Sequence, residues 1–296
     1  MSLKRTGLAL AMASTAAFAF ACAKSDAAGS GRFEETPQDA GPSETGAPPG
    51  TGFADGGAPP DKTGECEEET KQIYVVATDK GLYRFYPQTL KFVFVGTLSC
   101  PSAAGTFSMA IDRHGTAWVE YTDGRVFEVD TRDASCKATA FQPGQTGFST
   151  FGMGYSKNGP DEKSGETLYV AGAGLASLDT KTFQLGFKGS LTLGRTELTG
   201  LDDALYAFGV SSGVIAKLDK TTGATLATYR SSAIDEQAAF AFAQWGGDFY
   251  LFTGTTTTKV TRYSPITDKS DVPLENAGIL IVGAGSSTCA PTKHPN

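Results

Sequence analysis

Four acidic residues carry most of the chemistry open to this chain. Asp112, Asp202, Asp203 and Asp248 each stand at a turn beside a short apolar strand pattern. Carboxylates gathered in pairs can divide acid and base roles, as in glycoside hydrolysis. Aspartate is also what turns are built from, because its side chain accepts bonds from the backbone N–H groups just ahead of it. Other candidates reduce to turns. Gly209-Val210-Ser211-Ser212-Gly213 fits a nucleophile-elbow pattern, which needs a strand, a sharp turn and a helix. Here Val214-Ile215-Ala216 continues as a strand, so Ser211 reads as a hairpin turn. Gly172-Ala173-Gly174 lacks the third glycine of a dinucleotide loop. The two histidines, His114 and His294, offer too little imidazole for a triad or a histidine-rich zinc site, and the cysteines show no C-x-x-C spacing. The expectation is therefore no cofactor and no metal. Trp118, Trp245 and Tyr250 could stack on sugars, but their strand-like surroundings assign them to a core.

The elements that must position these residues form a repeat. An aromatic followed by an apolar residue recurs as Tyr74-Val75, Trp118-Val119, Tyr169-Val170, Tyr206-Ala207 and Tyr250-Leu251, at spacings of 44, 51, 37 and 44 residues. A second landmark ends 10 to 14 residues after each, at Pro87, Asp130, Asp179, Asp219 and Ser264. Within the second unit, residues 107–112, 116–121, 125–130 and 136–141 alternate with period two between turns, one of them the hairpin pair Asp123-Gly124. Four antiparallel strands per roughly 44 residues is the pattern of a β-propeller blade. Five landmark pairs predict an all-β, five-bladed propeller. The first blade lacks an innermost strand, since the segment before Tyr74 is charged. The apolar run 279–282 near the C-terminus supplies it and closes the ring. Residues 233–244 are alanine-rich enough to read as a helix, but the repeat requires an inner strand over at least 240–244.

Met109-Ala110-Ile111-Asp112-Arg113-His114-Gly115-Thr116-Ala117-Trp118-Val119 resembles the strand–turn–strand unit of lactonase-like and quinoprotein-like propellers. The Leu178-Asp179 and Leu218-Asp219 turns, each with Thr three residues past the Asp, are similar. The resemblance spans about 220 residues and implies fold; propellers host many unrelated activities. The arrangement also resembles bacterial secreted lipoproteins with a propeller head.

That second resemblance rests on the first 65 residues. Lys4 and Arg5 precede 14 uncharged residues, 7–20. As a helix they reach about 21 Å, short of a ~30 Å hydrocarbon core, so residues 1–21 read as a signal peptide rather than a span. Ala19-Phe20-Ala21 suits an ordinary signal peptidase. With Cys22 it also resembles a lipobox, departing from it at Ala19 and Phe20, and Cys22 becomes a lipidation candidate. Residues 22–65 follow as a tether. Its 9 Gly, 6 Pro and 8 acidic residues among positions 23–65 leave too little apolar area to offset ordering entropy, so it is expected to be disordered. Residues 66–296 form the propeller domain.

The four other cysteines suit an oxidising compartment. Cys66 lies seven residues before the first strand and Cys289 seven residues after the closing run. Antiparallel neighbours send both tails out at one end, which predicts a Cys66–Cys289 disulfide. Cys100 and Cys136 pair by elimination, although one follows an outer strand and the other begins the next, at nominally opposite ends.

The chain carries 25 basic and 32 acidic residues, a net charge of −7. With no basic block, it is a poor partner for nucleic acid. The function that fits is a non-enzymatic binding module at the cell envelope: a monomer whose ligand is an unidentified protein or glycan, touching membrane only through a lipid anchor. The alternative is a secreted carbohydrate- or lactone-active hydrolase using the funnel carboxylates.

Overall fold

A computed structural model describes residues 66–231 and 239–295. The leader, the tether and Cys22 lie outside the described residues, as do 232–238. The first blade is built by β1 (Ile73–Ala77), β2 (Gly81–Tyr86) and β3 (Lys91–Thr97). The second contains β4 (Thr106–Ile111), β5 (Thr116–Tyr121), β6 (Val126–Asp130) and β7 (Cys136–Ala138). The third contains β8 (Gly152–Lys157), β9 (Glu166–Ala171), β10 (Leu175–Leu178) and β11 (Leu185–Gly189). The fourth contains β12 (Thr196–Leu201), β13 (Ala204–Gly209), β14 (Val214–Leu218) and β15 (Thr225–Arg230). The fifth contains β16 (Ala239–Trp245), β17 (Asp248–Gly254), β18 (Thr258–Ser264) and β19 (Lys269–Leu274), and β20 (Ile281–Ser286) returns to the first. All five sheets are four-stranded and antiparallel, and β20 lies beside β1 as the innermost strand of the first blade. The described part of the alanine-rich segment is strand, not helix. Among the described residues no helix is long and apolar enough to cross a membrane.

The recurring aromatic has a physical cause. Every blade packs a neighbour on each face, so a second strand is apolar on both sides, and alternate residues serve alternate interfaces. On β1, Tyr74 and Val76 enter the cluster shared with the second blade, while Ile73 and Val75 enter the one shared with the fifth. Trp118, Tyr169 and Tyr206 likewise point to the blade that follows in the chain, and Tyr250 points to the first blade, next around the ring. The repeat landmark is one position in five equivalent interfaces.

Ring closure differs in register from the sequence reading. The closing strand begins at Ile281 and runs to Ser286, with Ile73 opposite Ser286 and Ala77 opposite Ile281. Ile279 stays in the approach, where its carbonyl accepts the Thr258 N–H at 2.9 Å. The inner position requires small residues rather than bulky ones. A Cβ on Gly283 would stand 2.9 Å from the Met109 nitrogen, and one on Gly285 2.9 Å from that of Ile111. The outer strand of the second blade also stops earlier than its pattern suggests. Thr139 Oγ1 donates to the Val126 carbonyl at 2.6 Å, and Phe141 turns into the core.

Both disulfides form. Cys66 joins Cys289 across 223 residues with Cα atoms 5.6 Å apart, and Cys100 joins Cys136 with Cα atoms 5.0 Å apart. The second pairing looks awkward only in a flat blade. Adjacent strands rotate by some 20–25° each, and the twist carries the end of β3 across the second blade. Gly96 there packs against Asp133 and Ala134, just before Cys136.

Closing a loop of 223 residues stabilises by about 5 kcal/mol in the chain-entropy model. The Cys66→Ser/Cys289→Ser protein should keep its β-rich circular dichroism while its proteolysis half-life falls at least tenfold, because the ring can then open where the chain ends meet. Equal half-lives under native conditions would count against the staple as the kinetic lock.

Candidate functional site at the propeller axis

The five inner strands β4, β8, β12, β16 and β20 surround the axis, and all end at the same face. The turns after β4 and β12 carry Asp112, Asp202 and Asp203, and Asp248 opens β17 just after the turn that follows β16. Asp112 is half-buried, and its Oδ1 accepts the N–H groups of His114 at 2.9 Å and Thr116 at 2.8 Å. Asp202 sits at φ 54° in its turn, and both Asp202 and Asp203 are exposed. The Asp203 carbonyl accepts Lys220 Nζ at 2.6 Å. Asp248 is buried and contacts His294 Nε2 at 2.8 Å, with Arg262 Nε 3.9 Å away. These carboxylates share a face and stand in three different blades; Asp112 is engaged by its own turn and Asp248 by the tail residue His294. Ser211 lies between β13 and β14, and Gly172 to Gly174 between β9 and β10, as hairpin connections. Trp118, Trp245 and Tyr250 are core residues, and the Trp245 indole donates to the Lys71 carbonyl at 2.9 Å.

Asp112 has a neighbour that the sequence reading missed. Its turn delivers the Arg113 N–H to Glu166 Oε1 at 2.9 Å, with Arg113 Nε 3.5 Å from Oε2. Thr288 Oγ1 donates to Glu166 and accepts from Arg113 Nη2 at 3.2 Å. Burial raises both carboxyls, and the charge of Asp112 raises Glu166 further. This cluster joins the second blade, the third blade and the segment just before Cys289. It is a clasp at the face where the ring closes.

Two further buried carboxyls lie at the axis and one strand out from it. Glu197 on β12 is 1% exposed. Its Oε2 accepts Ser108 Oγ from β4 at 2.9 Å and the Met153 N–H from β8 at 3.3 Å. One layer on, Thr199 Oγ1 and Ser286 Oγ lie 3.2 Å apart, and the Gln244 N–H reaches them at 3.2 and 3.3 Å. Side chains of β4, β12 and β20 and backbone of β8 and β16 thus meet in a buried polar plug. Glu120 on β5 adds Oε2 as acceptor for the Phe151 N–H at 2.9 Å, while its buried Oε1 has no protein partner. Burial raises both glutamates well above the usual carboxyl range, and the charge of Glu197 raises Glu120 further. The sequence signal was present. Two residues past the aromatic landmark the other blades have Val76, Ala171, Phe208 and Phe252, and the second blade has Glu120.

At the opposite mouth the inner strands begin around a cavity of about 280 Å³. Phe107, Phe151, Phe240 and Arg195 help to line it, and the Arg195 guanidinium lies 4.7 Å over the Phe240 ring. An aromatic and cationic recess above a sealed axis can hold a ligand. Among the described residues no group of three or more metal-type side chains is assembled.

The sequence matches no protein-family model and no curated protein. Similar solved structures include a protein of unknown function from Bacteroides caccae, 11% identical, with a TM-score of 0.45 over 72% of this chain and 97% of that one. A nidogen/laminin complex is 12% identical, with a TM-score of 0.45 over 76% and 87%. The WD40 propeller domain of Doa1 is 12% identical, with a TM-score of 0.41 over 72% and 82%.

The two raised glutamates fix a pH dependence. A carboxyl whose folded pKa exceeds its unfolded value stabilises the fold fully below the unfolded value, about 4.3. That contribution is lost as pH rises through the folded value. Glu197→Gln cannot ionise and keeps an oxygen for Ser108 and Met153. It should melt higher than the parent at pH 8 and nearly level with it at pH 4.5. Glu197→Ala should lose about 1–3 kcal/mol at pH 4.5, and its deficit against the parent should shrink at pH 8, where the parent carboxylate is itself destabilising. Identical melting profiles of the parent and Glu197→Gln across this range would overturn the assignment.

Proposed function

We propose that this chain is a non-enzymatic binding head, exported and held at a bacterial envelope by a lipid on Cys22, with a protein or glycan as ligand. The observation that carries this reading is the fate of the carboxyls around the axis. Glu197 is 1% exposed and holds a hydrogen-bonded plug, and Asp112 and Glu166 are engaged by turn and clasp donors. A glycosidase needs two carboxyls facing one open cleft with room for substrate between them. The recess at the opposite mouth, bounded by Phe107, Phe240 and Arg195, offers contact area without a nucleophile–base pair. Two disulfides in one propeller fit an oxidising, extracytoplasmic location.

Two measurements test this. Wild-type protein should partition with membranes, and Cys22→Ser should release it to the soluble fraction; wild type already soluble would remove the lipid anchor. The released protein should retain partners on a glycan array or in an envelope extract. Arg195→Ala, at the recess, should weaken that capture at least tenfold without lowering the melting temperature. Turnover of a glycoside or lactone panel, abolished by Asp112→Asn or Glu166→Gln, would establish the hydrolase instead.

A further inference from the structure

The outer edge of the first blade differs from the other four. An outermost strand presents unpaired backbone N–H and C=O groups, and proteins protect such edges by shortness, proline or charge. The strand β7 has three residues. The strand β11 is broken by Gly186 and Gly189, and β19 contains Pro273 and an Asp271 paired with Arg262. The strand β15 ends in Arg230 and exposes one large apolar side chain, Leu226. The strand β3 is the longest of the five outer strands, and its guards are slight: a cation at its first residue, Lys91, and Gly96 beside a β-bulge at Val95. Its seven residues, Lys-Phe-Val-Phe-Val-Gly-Thr, contain no proline and no charge after Lys91. Among the described residues it hydrogen-bonds only β2, and Val93 and Phe94 are 49% and 55% exposed.

We propose that β3 is the contact through which two copies of this chain associate, pairing antiparallel with itself across a two-fold axis. The observations favour a second copy because the strand complements itself. Overlap centred on Phe94 places Phe94 opposite Phe94 of the other copy and Lys91 toward the Thr97 end, with the Val95 bulge interrupting the ladder between them. The single cation of the strand then meets no like charge. It approaches the stretch where Gly96 packs against the Asp133 carbonyl, beside the exposed Asp133 side chain. Phe94 already lies 5.2 Å from Tyr83, and Phe92 is stacked 4.6 Å from Phe85. Self-pairing extends this aromatic row across the axis, and cross-strand aromatic pairs stabilise sheets. A two-fold contact of identical patches is closed, so it stops at the dimer. One strand pair gives an interface at the small end of the specific range. The dimer is therefore weak and concentration-dependent, in contrast to the monomer expected from sequence. The inference is independent of the proposed ligand.

The test uses the full chain carrying Cys22→Ser, purified after export. Sedimentation equilibrium between about 1 and 200 µM should show the average mass rising toward two chains. Phe94→Lys should weaken association at least tenfold with unchanged circular dichroism, and Leu226→Lys on β15 should not. Under mild oxidation Phe94→Cys should cross-link to itself, since opposed Cα atoms in antiparallel strands fall within disulfide range. Thr97→Cys should fail alone and succeed when mixed with Lys91→Cys. A single-chain mass throughout, association that survives Phe94→Lys, or self-linking of Thr97→Cys would each overturn the proposal.

Discussion

Ring closure at the axis is the constraint on which the rest of this molecule depends. Five sheets can share faces in a circle only if the innermost strands come close enough for each blade to reach both neighbours. That closeness is set by residues that have little or no side chain. Glycines on β8, β12 and β20 leave no room for a Cβ against the facing backbone. The last of these strands comes from the far end of the chain, so the first blade is complete only when the ends meet. The Cys66–Cys289 bond and the Arg113–Glu166–Thr288 clasp both lie beside that meeting point.

Close packing of inner strands has an electrostatic consequence. Small residues at the axis leave backbone groups and hydroxyls facing one another where water is excluded. An unpaired buried polar group costs about 1–3 kcal/mol, so the plug must be internally satisfied or contain a neutral acid. Glu197 meets this by joining β4, β8 and β12 through a single carboxyl oxygen. Cross-ring bonds of this kind connect blades that share no interface, which the apolar clusters, each confined to adjacent blades, cannot do.

The fold was readable where one requirement repeats five times. An aromatic that always packs on the next blade leaves a periodic mark, and the turns leave another. Features that occur once were harder to read. Bulky Ile279 and Leu280 look more like a strand than Gly283-Ala284-Gly285, yet the axis admits the latter. The Cys100–Cys136 pairing follows from twist, a property of the whole sheet that a linear map of strands cannot display. Glu166 and Glu197 come together with residues more than 40 positions away, so their surroundings had no local signature. Glu120 was the exception, as a charged residue at a position apolar in the other blades.

The same logic separates the two ends of each blade. At the axis Ser108, Glu197, Thr199 and Ser286 are committed to holding the ring, while Glu120 Oε1 and Gln244 Oε1 have no partner among the described residues. At the rim the sheets end without a neighbour, and each blade resolves its edge independently, by a short strand, a proline, glycines or charges. Recognition is therefore to be sought where the repeat is least regular: at the recess where β4 and β16 begin, with its Arg195 stacked on Phe240, and along β3, where two adjacent large apolar side chains are exposed on an edge strand. A propeller that builds its centre for closure leaves its mouth and its outer edges as the surfaces on which function can vary without disturbing the ring.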